Sequence, residues 1–256
     1  MSAPSTVSAC IVLYHADDDV FRAAQSVMDS TLPVDLFLAD NSPECDTAAR
    51  IQAMFPRVTV LPQAGNLGFG RANNAVLPHL HSRYHLLVNP DVSFDPDLIQ
   101  RMVDWMDAHP KAAVLTPRVF FPDGTEQFLP KKQPTVRYLL GGKLERLGEP
   151  FRSYRRDYTL NGQTITAPTP VGFATGCFLL IRTELFRELG GFDDRFFLYQ
   201  EDSDLSRRVL EKGQIIYHPD MCITHAWHRE NTKTLKGTLR QVHSIIKFFR
   251  KWGVKW

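Results

Sequence analysis

Short apolar runs alternate along this chain with longer stretches whose apolar positions recur every three or four residues. "SACIVL" (8–13), "VDLFLAD" (34–40), "VTVLPQ" (58–63), "YHLLVNPDV" (84–92) and "AAVLTPRVF" (112–120) read as strands. Between them, "VFRAAQSVMDS" (20–30) and "PDLIQRMVDWMDAHP" (96–110) carry helical spacing. Strands alternating with helices predict an α/β domain: a Rossmann-like, mostly parallel central sheet flanked by helices. Such sheets place ligands beyond the C-terminal ends of their strands. Three polar clusters fall at such ends, namely Tyr14-His15, Asp40-Asn41-Ser42 and Asn89-Pro90-Asp91. Each alone is also ordinary turn chemistry, but their recurrence points to one crevice.

The periodicity weakens over residues 128–158, where Lys and Arg are frequent and Gly and Pro interrupt; this reads as a mobile basic loop on the acceptor side of a site. It returns in "VGFATGCFLLIRTELFRELGGFDDRFFLYQEDSDLSRRVLEKG" (171–213) as strand, helix, Gly-Gly turn and an acid-rich helix start. The final stretch has Leu235, Leu239, Val242, Ile246, Phe249 and Trp252 at helical spacing among basic residues, with no acid. A basic amphipathic helix of this kind either packs on its own domain or lies on an anionic membrane surface. The expected organisation is therefore a domain over 1–232 and a C-terminal helix over 233–256.

Composition adds limits. With 43% hydrophobic and 23% charged residues among 256, a single folded unit with a substantial core is expected. A formal net charge of +2 gives no case for nucleic acid as a partner. No run approaches the roughly 18 apolar residues of a membrane span, and the N-terminus lacks a secretory pattern. Cys10, Cys45, Cys177 and Cys222 form no CxxC pair, and read as reduced thiols of a cytoplasmic protein.

Four constellations carry candidate chemistry. "GNLGFGRANNA" (65–75) combines glycines with Asn66, Asn73 and Asn74 at a helix start suited to a phosphate or polar ring; it fits neither a Walker loop nor a dinucleotide fingerprint. In "VNPDV", Asp91 at a strand end offers a hard oxygen ligand for Mg²⁺ or Mn²⁺ bridging a diphosphate. In "LYQEDSDLSRRV", Glu201, Asp202 and Asp204 place three acids within four positions; helix capping accounts for one of them, and Asp202 is the candidate general base. Finally, "THAWHREN" supplies His225 and His228, which are either a metal ligand and an acceptor contact or polar loop residues.

Taken in order, "ADNSPE", "GNLGFGRANNA", "LLVNPDV", the 173–209 segment and "ITHAWHREN" resemble family 2 glycosyltransferases of the GT-A fold, and within them bacterial rhamnosyltransferases that extend lipid-linked N-acetylglucosamine. The resemblance implies a nucleotide-sugar donor, dTDP-rhamnose, and a divalent metal, Mg²⁺ or Mn²⁺. It also implies a lipid-linked saccharide acceptor met at the cytoplasmic face of the inner membrane. Asp40 would contact the nucleobase with Tyr14 lining its pocket, while Asn66, Gly68 and Arg71 approach the nucleotide. Asn89 and Asp91 stand at the family's Asp-x-Asp motif, so that one carboxylate remains, and His225 completes the metal shell. Asp202 would be the base of an inverting displacement, with Glu201, Trp227 and His228 serving the acceptor or supporting the base. A nucleotidyltransferase and a non-catalytic carbohydrate-binding protein are the alternatives. The first usually has a glycine-rich loop after strand one, where this chain reads "YHADDD".

Overall fold

A computed structural model describes residues 5–161, 163–227 and 235–256. The parallel half of the sheet is built from β1 (Val7–Leu13), β2 (Val34–Asp40), β3 (Thr59–Pro62) and β4 (Tyr84–Val88) in the order β3-β2-β1-β4. Every residue of β1 is buried, as expected for a strand covered on both faces. Side chains alternate by twos: Val7, Ala9, Ile11 and Leu13 join one core layer, Cys10 and Val12 the other. The first layer is closed by α1 (Asp19–Met28), through Val20, Ala23, Ala24 and Val27, and by α4 (Leu98–Ala108). The second is closed by α3 (Phe69–Asn74), α7 (Thr183–Glu188) and α8 (Glu201–Leu210).

Beyond β4 the sheet becomes mixed. β8 (Phe178–Arg182) runs antiparallel between β4 and β6 (Ala112–Phe120), and β6 pairs in parallel with β9 (Gln214–His225). The short β5 (Val92–Ser93) and β7 (Thr169–Pro170) both pair antiparallel with β9. The expected strands at 34–40 and 112–120 are present with those bounds, whereas "YHLLVNPDV" stops at Val88 before resuming as β5. α2 (Thr47–Met54) links β2 to β3.

Residues 128–158 correct the sequence reading. They hold α5 (Val136–Leu144) and most of α6 (Phe151–Thr159), two helices packed as a hairpin rather than a loop. Gly141, which reads as a helix breaker, lies where a Cβ would sit 2.8 Å from the backbone nitrogen of Arg155, so the glycine permits close helix contact. Tyr138 and Tyr158 stack at 5.2 Å, and Asp157 accepts hydrogen bonds from Lys132 and Tyr138. The helices were hidden because their apolar contacts are few and aromatic.

α9 (Leu235–Trp252) packs on the domain by one face. Phe248 is buried, Ser244 donates to the Leu198 carbonyl at 2.8 Å, and Lys247 donates to the Arg195 carbonyl at 2.6 Å. Lys251 pairs with both Asp193 (2.7 Å) and Asp204 (2.6 Å). Burial pushes the Asp193 carboxyl up, but hydrogen bonds from Arg195 and Lys251 outweigh it and hold the group well below the usual carboxylate range. All four cysteines are free thiols. Among the described residues no helix is long and apolar enough to cross a membrane.

Candidate active site

The ends of β1 and β2 come together as the alternation predicts. Leu13 is in register with Asp40, the Asn41 N–H donates to the Leu13 carbonyl at 2.8 Å, and the His15 N–H donates to Ser42 Oγ at 3.1 Å. Asp40 is buried, and one of its oxygens accepts from the Ser42 N–H at 3.1 Å. Tyr14 is 48% exposed at the rim, edge-on to the His15 ring at 4.6 Å. It is a half-exposed aromatic one residue beyond the Leu13–Asp40 register pair rather than an enclosed pocket wall.

The 65–75 loop follows a different plan from the one its sequence suggests. Its donors are used inside the protein: the Leu67 N–H goes to Asn41 Oδ1 (3.1 Å), that of Gly68 to Asn66 Oδ1 (2.9 Å), and that of Phe69 to the Phe197 carbonyl (3.1 Å). Asn73 donates to the Phe69 carbonyl, and Asn74 exchanges hydrogen bonds with Phe192. Of these, the Phe69 N–H and the Asn74 side chain fasten α3 to the 192–197 segment, and the others tie the loop to itself and to Asn41. Gly68 has φ +83°, and a Cβ there would lie 2.0 Å from the Phe197 carbonyl oxygen, so the glycine is required by that contact. Arg71 stays exposed on α3.

At the β4 end, the turn through Asn89 and Asp91 meets the end of β9. Asp91 Oδ1 lies 3.2 Å from His225 Nε2, and Asn89 Nδ2 lies 3.4 Å from the same nitrogen. Gln127 sets the ring: its amide donates to the His225 carbonyl at 2.6 Å, which turns its own Oε1 toward Nδ1 at 3.1 Å. Nδ1 is therefore a donor, and Nε2 lies between the Asp91 carboxylate and the Asn89 amide. One carboxylate oxygen plus one imidazole nitrogen in a nearly buried setting suits a divalent metal. Asp91 and His225 thus fit the expected metal. Trp227 stacks between Phe121 (5.8 Å) and His225 (6.0 Å). His228 lies outside the described residues.

The three clustered acids divide into three roles. Asp204, fully buried, is structural: it is bonded by Arg208 (2.8 Å), Lys251 (2.6 Å) and the Trp252 indole N–H (2.8 Å). Asp202 is half-buried, accepting from the Ser203 N–H at 2.8 Å and, more distantly, the Gly176 N–H at 3.5 Å. Burial raises its pKa, while the nearby Lys131 ammonium and those N–H groups oppose the rise. Glu201 is buried with Oε2 unpartnered; burial and then the charge of Asp202 raise its pKa well above the carboxylate norm. Burial raises both carboxyls, and Asp202 has the Lys131 ammonium opposing the rise. The turn before them is strained, with Tyr199 and Gln200 at φ 68° and 69°.

Segment 174–177 joins the two centres. The Cys177 carbonyl accepts from the Asn89 N–H at 2.8 Å, and Gly176 next to it contacts Asp202. Burial pushes the Cys177 thiol up to about 12, Asp91 and Asp202 push it the same way, and Lys131 opposes. Asp91, Asp202 and Lys131 therefore surround one strand end. Lys131 is held there by its backbone bridge to Phe173, with Nζ 4.9 Å from the centre of the Phe173 ring. Sequence reasoning missed Gln127 altogether and saw Lys131 only as part of a basic stretch. Neither lies in a motif, and their partners are far away in sequence.

A mixed, mostly parallel sheet flanked by helices, with its polar clusters at the strand ends, is the GT-A type of fold. The chain belongs to the family described as glycosyl transferase family 2, which it matches over residues 8–190. The match ends before Asp202 and His225. The chain is 32% identical over 207 residues to N-acetylglucosaminyl-diphospho-decaprenol L-rhamnosyltransferase of Mycobacterium tuberculosis, covering 75% of this chain and 66% of that protein. It is 24% identical over 192 residues to rhamnosyltransferase WbbL of Escherichia coli, covering 69% and 67%. The match thus spans about two thirds of these relatives' length. In fold it is similar to the mannosyltransferase PcManGT of Pyrobaculum calidifontis in complex with GDP-Man and Mn²⁺ (TM-score 0.63, 15% identity, 97% of this chain and 65% of that one). It is likewise similar to GalNAc-T7 with UDP, GalNAc and Mn²⁺ (TM-score 0.68, 15% identity, 96% and 48%).

Proposed function

We propose that this chain is an inverting glycosyltransferase that moves L-rhamnose from dTDP-β-L-rhamnose to a hydroxyl of lipid-linked N-acetylglucosamine in surface-polysaccharide assembly. The observation that carries the reading is the convergence of Asp202 and the Asp91–His225 pair on the two sides of segment 174–177. The donor and acceptor follow the names of the relatives and the sequence resemblance.

In this mechanism the Asp202 carboxylate accepts the proton of the acceptor hydroxyl as its oxygen forms the new bond to C1. The bond from C1 to the diphosphate oxygen breaks, and dTDP leaves with that electron pair. Attack from the face opposite the leaving group inverts the β-linkage to an α-L-rhamnoside. Asp91 and His225 would hold the divalent ion, which would offset the negative charge of the diphosphate. Asp40 receives the base, with Tyr14 against its face. Asn66 and Gly68 shape the nucleotide side of the loop, and Arg71 and Asn89 border the diphosphate. Glu201 supports the base from the adjoining position, and Trp227 and His228 are assigned to the acceptor by the sequence resemblance.

The test is transfer from dTDP-rhamnose to N-acetylglucosaminyl-diphospho-polyprenol with Mg²⁺ or Mn²⁺, the product's anomeric configuration being read by NMR. An α-rhamnoside is expected. Turnover with UDP- or GDP-sugars alone keeps the enzyme class and overturns the donor. Pyrophosphate exchange with a nucleoside triphosphate would make it a nucleotidyltransferase. Nucleotide-sugar binding without any turnover would leave a carbohydrate-binding protein.

A further inference from the structure

α9 has two apolar faces, and the domain covers only one. Ser244 and Phe248 point into the protein, with Trp252 one turn further along. On the opposite side, at spacings of three and four residues, Leu239 is 62%, Val242 44% and Ile246 47% exposed. Beyond the helix, Val254 and Trp256 are also exposed. Arg250 lies on the exposed side, and Arg240 and Lys247 flank it, the Arg240 guanidinium over the Phe197 ring and the Lys247 ammonium donating to the Arg195 carbonyl. Residues 233–256 contain seven Lys and Arg and no Asp or Glu.

The neighbouring hairpin continues the surface. Lys143 of α5 donates to Gln241 of α9 at 2.6 Å, and the Val136 N–H donates to the Lys255 carbonyl at 2.8 Å. Arg146, Arg152 and exposed Leu147 belong to this same hairpin.

We propose that the outward face of α9, with the adjoining hairpin, is a docking surface for an anionic lipid bilayer. Apolar side chains enter the acyl boundary while the flanking cations meet the headgroups. Residues 233–256 carry no acid, which disfavours a second copy of this helix as the occupant, because like charges would oppose each other; the acids of the surface are Glu145 and Glu149 of the hairpin, the latter paired with Arg156. The proposal stands on the exposed face and holds whatever sugar the site transfers.

The test is co-sedimentation of the full chain with vesicles of phosphatidylcholine alone or mixed with phosphatidylglycerol, at low and high salt. Binding to the mixed vesicles that weakens with salt is expected, and Leu239→Glu with Ile246→Glu should reduce it by about tenfold or more. Both residues are exposed, so Tm and donor binding of that variant should match the parent. Failure to bind mixed vesicles, or undiminished binding by the variant, overturns the proposal. So does a dimer, detected by light scattering, that the same variant dissociates, for then the occupant is a second copy.

Discussion

At the ends of β1 and β2 and in the 65–75 loop, polar side chains find partners within the protein. Asp40, Asn41, Ser42, Asn66, Asn73 and Asn74 all do so. Around α8 the situation is reversed. Thr175 Oγ1, Gln200 Oε1 and Glu201 Oε2 are buried without a hydrogen-bond partner, and two non-glycine residues in succession hold left-handed backbone. The first region spends its polarity on fixing a scaffold. The second keeps unsatisfied groups and strain beside Asp202, which is where proton transfer has been proposed. The contrast teaches that the polar groups of the motif-rich loop are chiefly engaged in architecture, and that the segment proposed to carry the base keeps buried atoms without a partner.

Substitution at Asp202 tests the contrast most severely. Asp202→Asn should lower kcat by about 10³-fold, while metal-dependent stabilisation by the nucleotide sugar persists in a thermal-shift assay. Unchanged turnover would move the chemistry away from α8. Asp204→Asn should instead act on stability, because it disrupts a buried network joining α8 to α9; the cost is about 3 kcal/mol, or roughly 6–12 °C in Tm. A Tm within error of the parent would show that α9 is not anchored by this network.

Smaller effects sharpen the picture. Asp91→Asn should weaken Mn²⁺-dependent donor binding, and Gln127→Leu should weaken it by about tenfold by freeing the His225 ring; an unaltered metal titration in both would remove the pair from the metal site. Lys131→Met removes a cation that lowers the Asp202 pKa, so the acidic limb of the kcat/KM profile should move to higher pH, and Lys131→Arg should restore it. An unmoved limb would place Lys131 outside the electrostatics of the base.

The smallest effect concerns Glu201. Its folded pKa is raised, so folding takes up a proton between the unfolded value, about 4.3, and the folded one; stability from this group is full below the first and is lost as pH rises through the second. Glu201→Gln should therefore gain in relative Tm as pH increases across that window. A pH-independent difference would show that Glu201 titrates normally.

The helical hairpin and the three acids show how far one-dimensional reading reached. "EDSD" announced chemistry at α8, but nothing in the spacing separates a base from a supporting neighbour and an anchor. That division depends on Lys131, Gly176, Lys251 and Trp252, which arrive from other parts of the chain. "GNLGFGRANNA" announced close backbone approach correctly, yet the partner approached is Phe197.

By itself the sequence determined what is local: strands from fully apolar runs, helices from periodic ones, and polar residues stopping each strand where a parallel sheet places its crevice. Long-range packing decided the rest. Only folding brings Gln127 against His225 to fix its tautomer, and only folding divides α9 into a face that meets the protein and a face that does not. A side chain's charge state and exposure depend on the dielectric and donors around it, and those are supplied by residues distant along the chain.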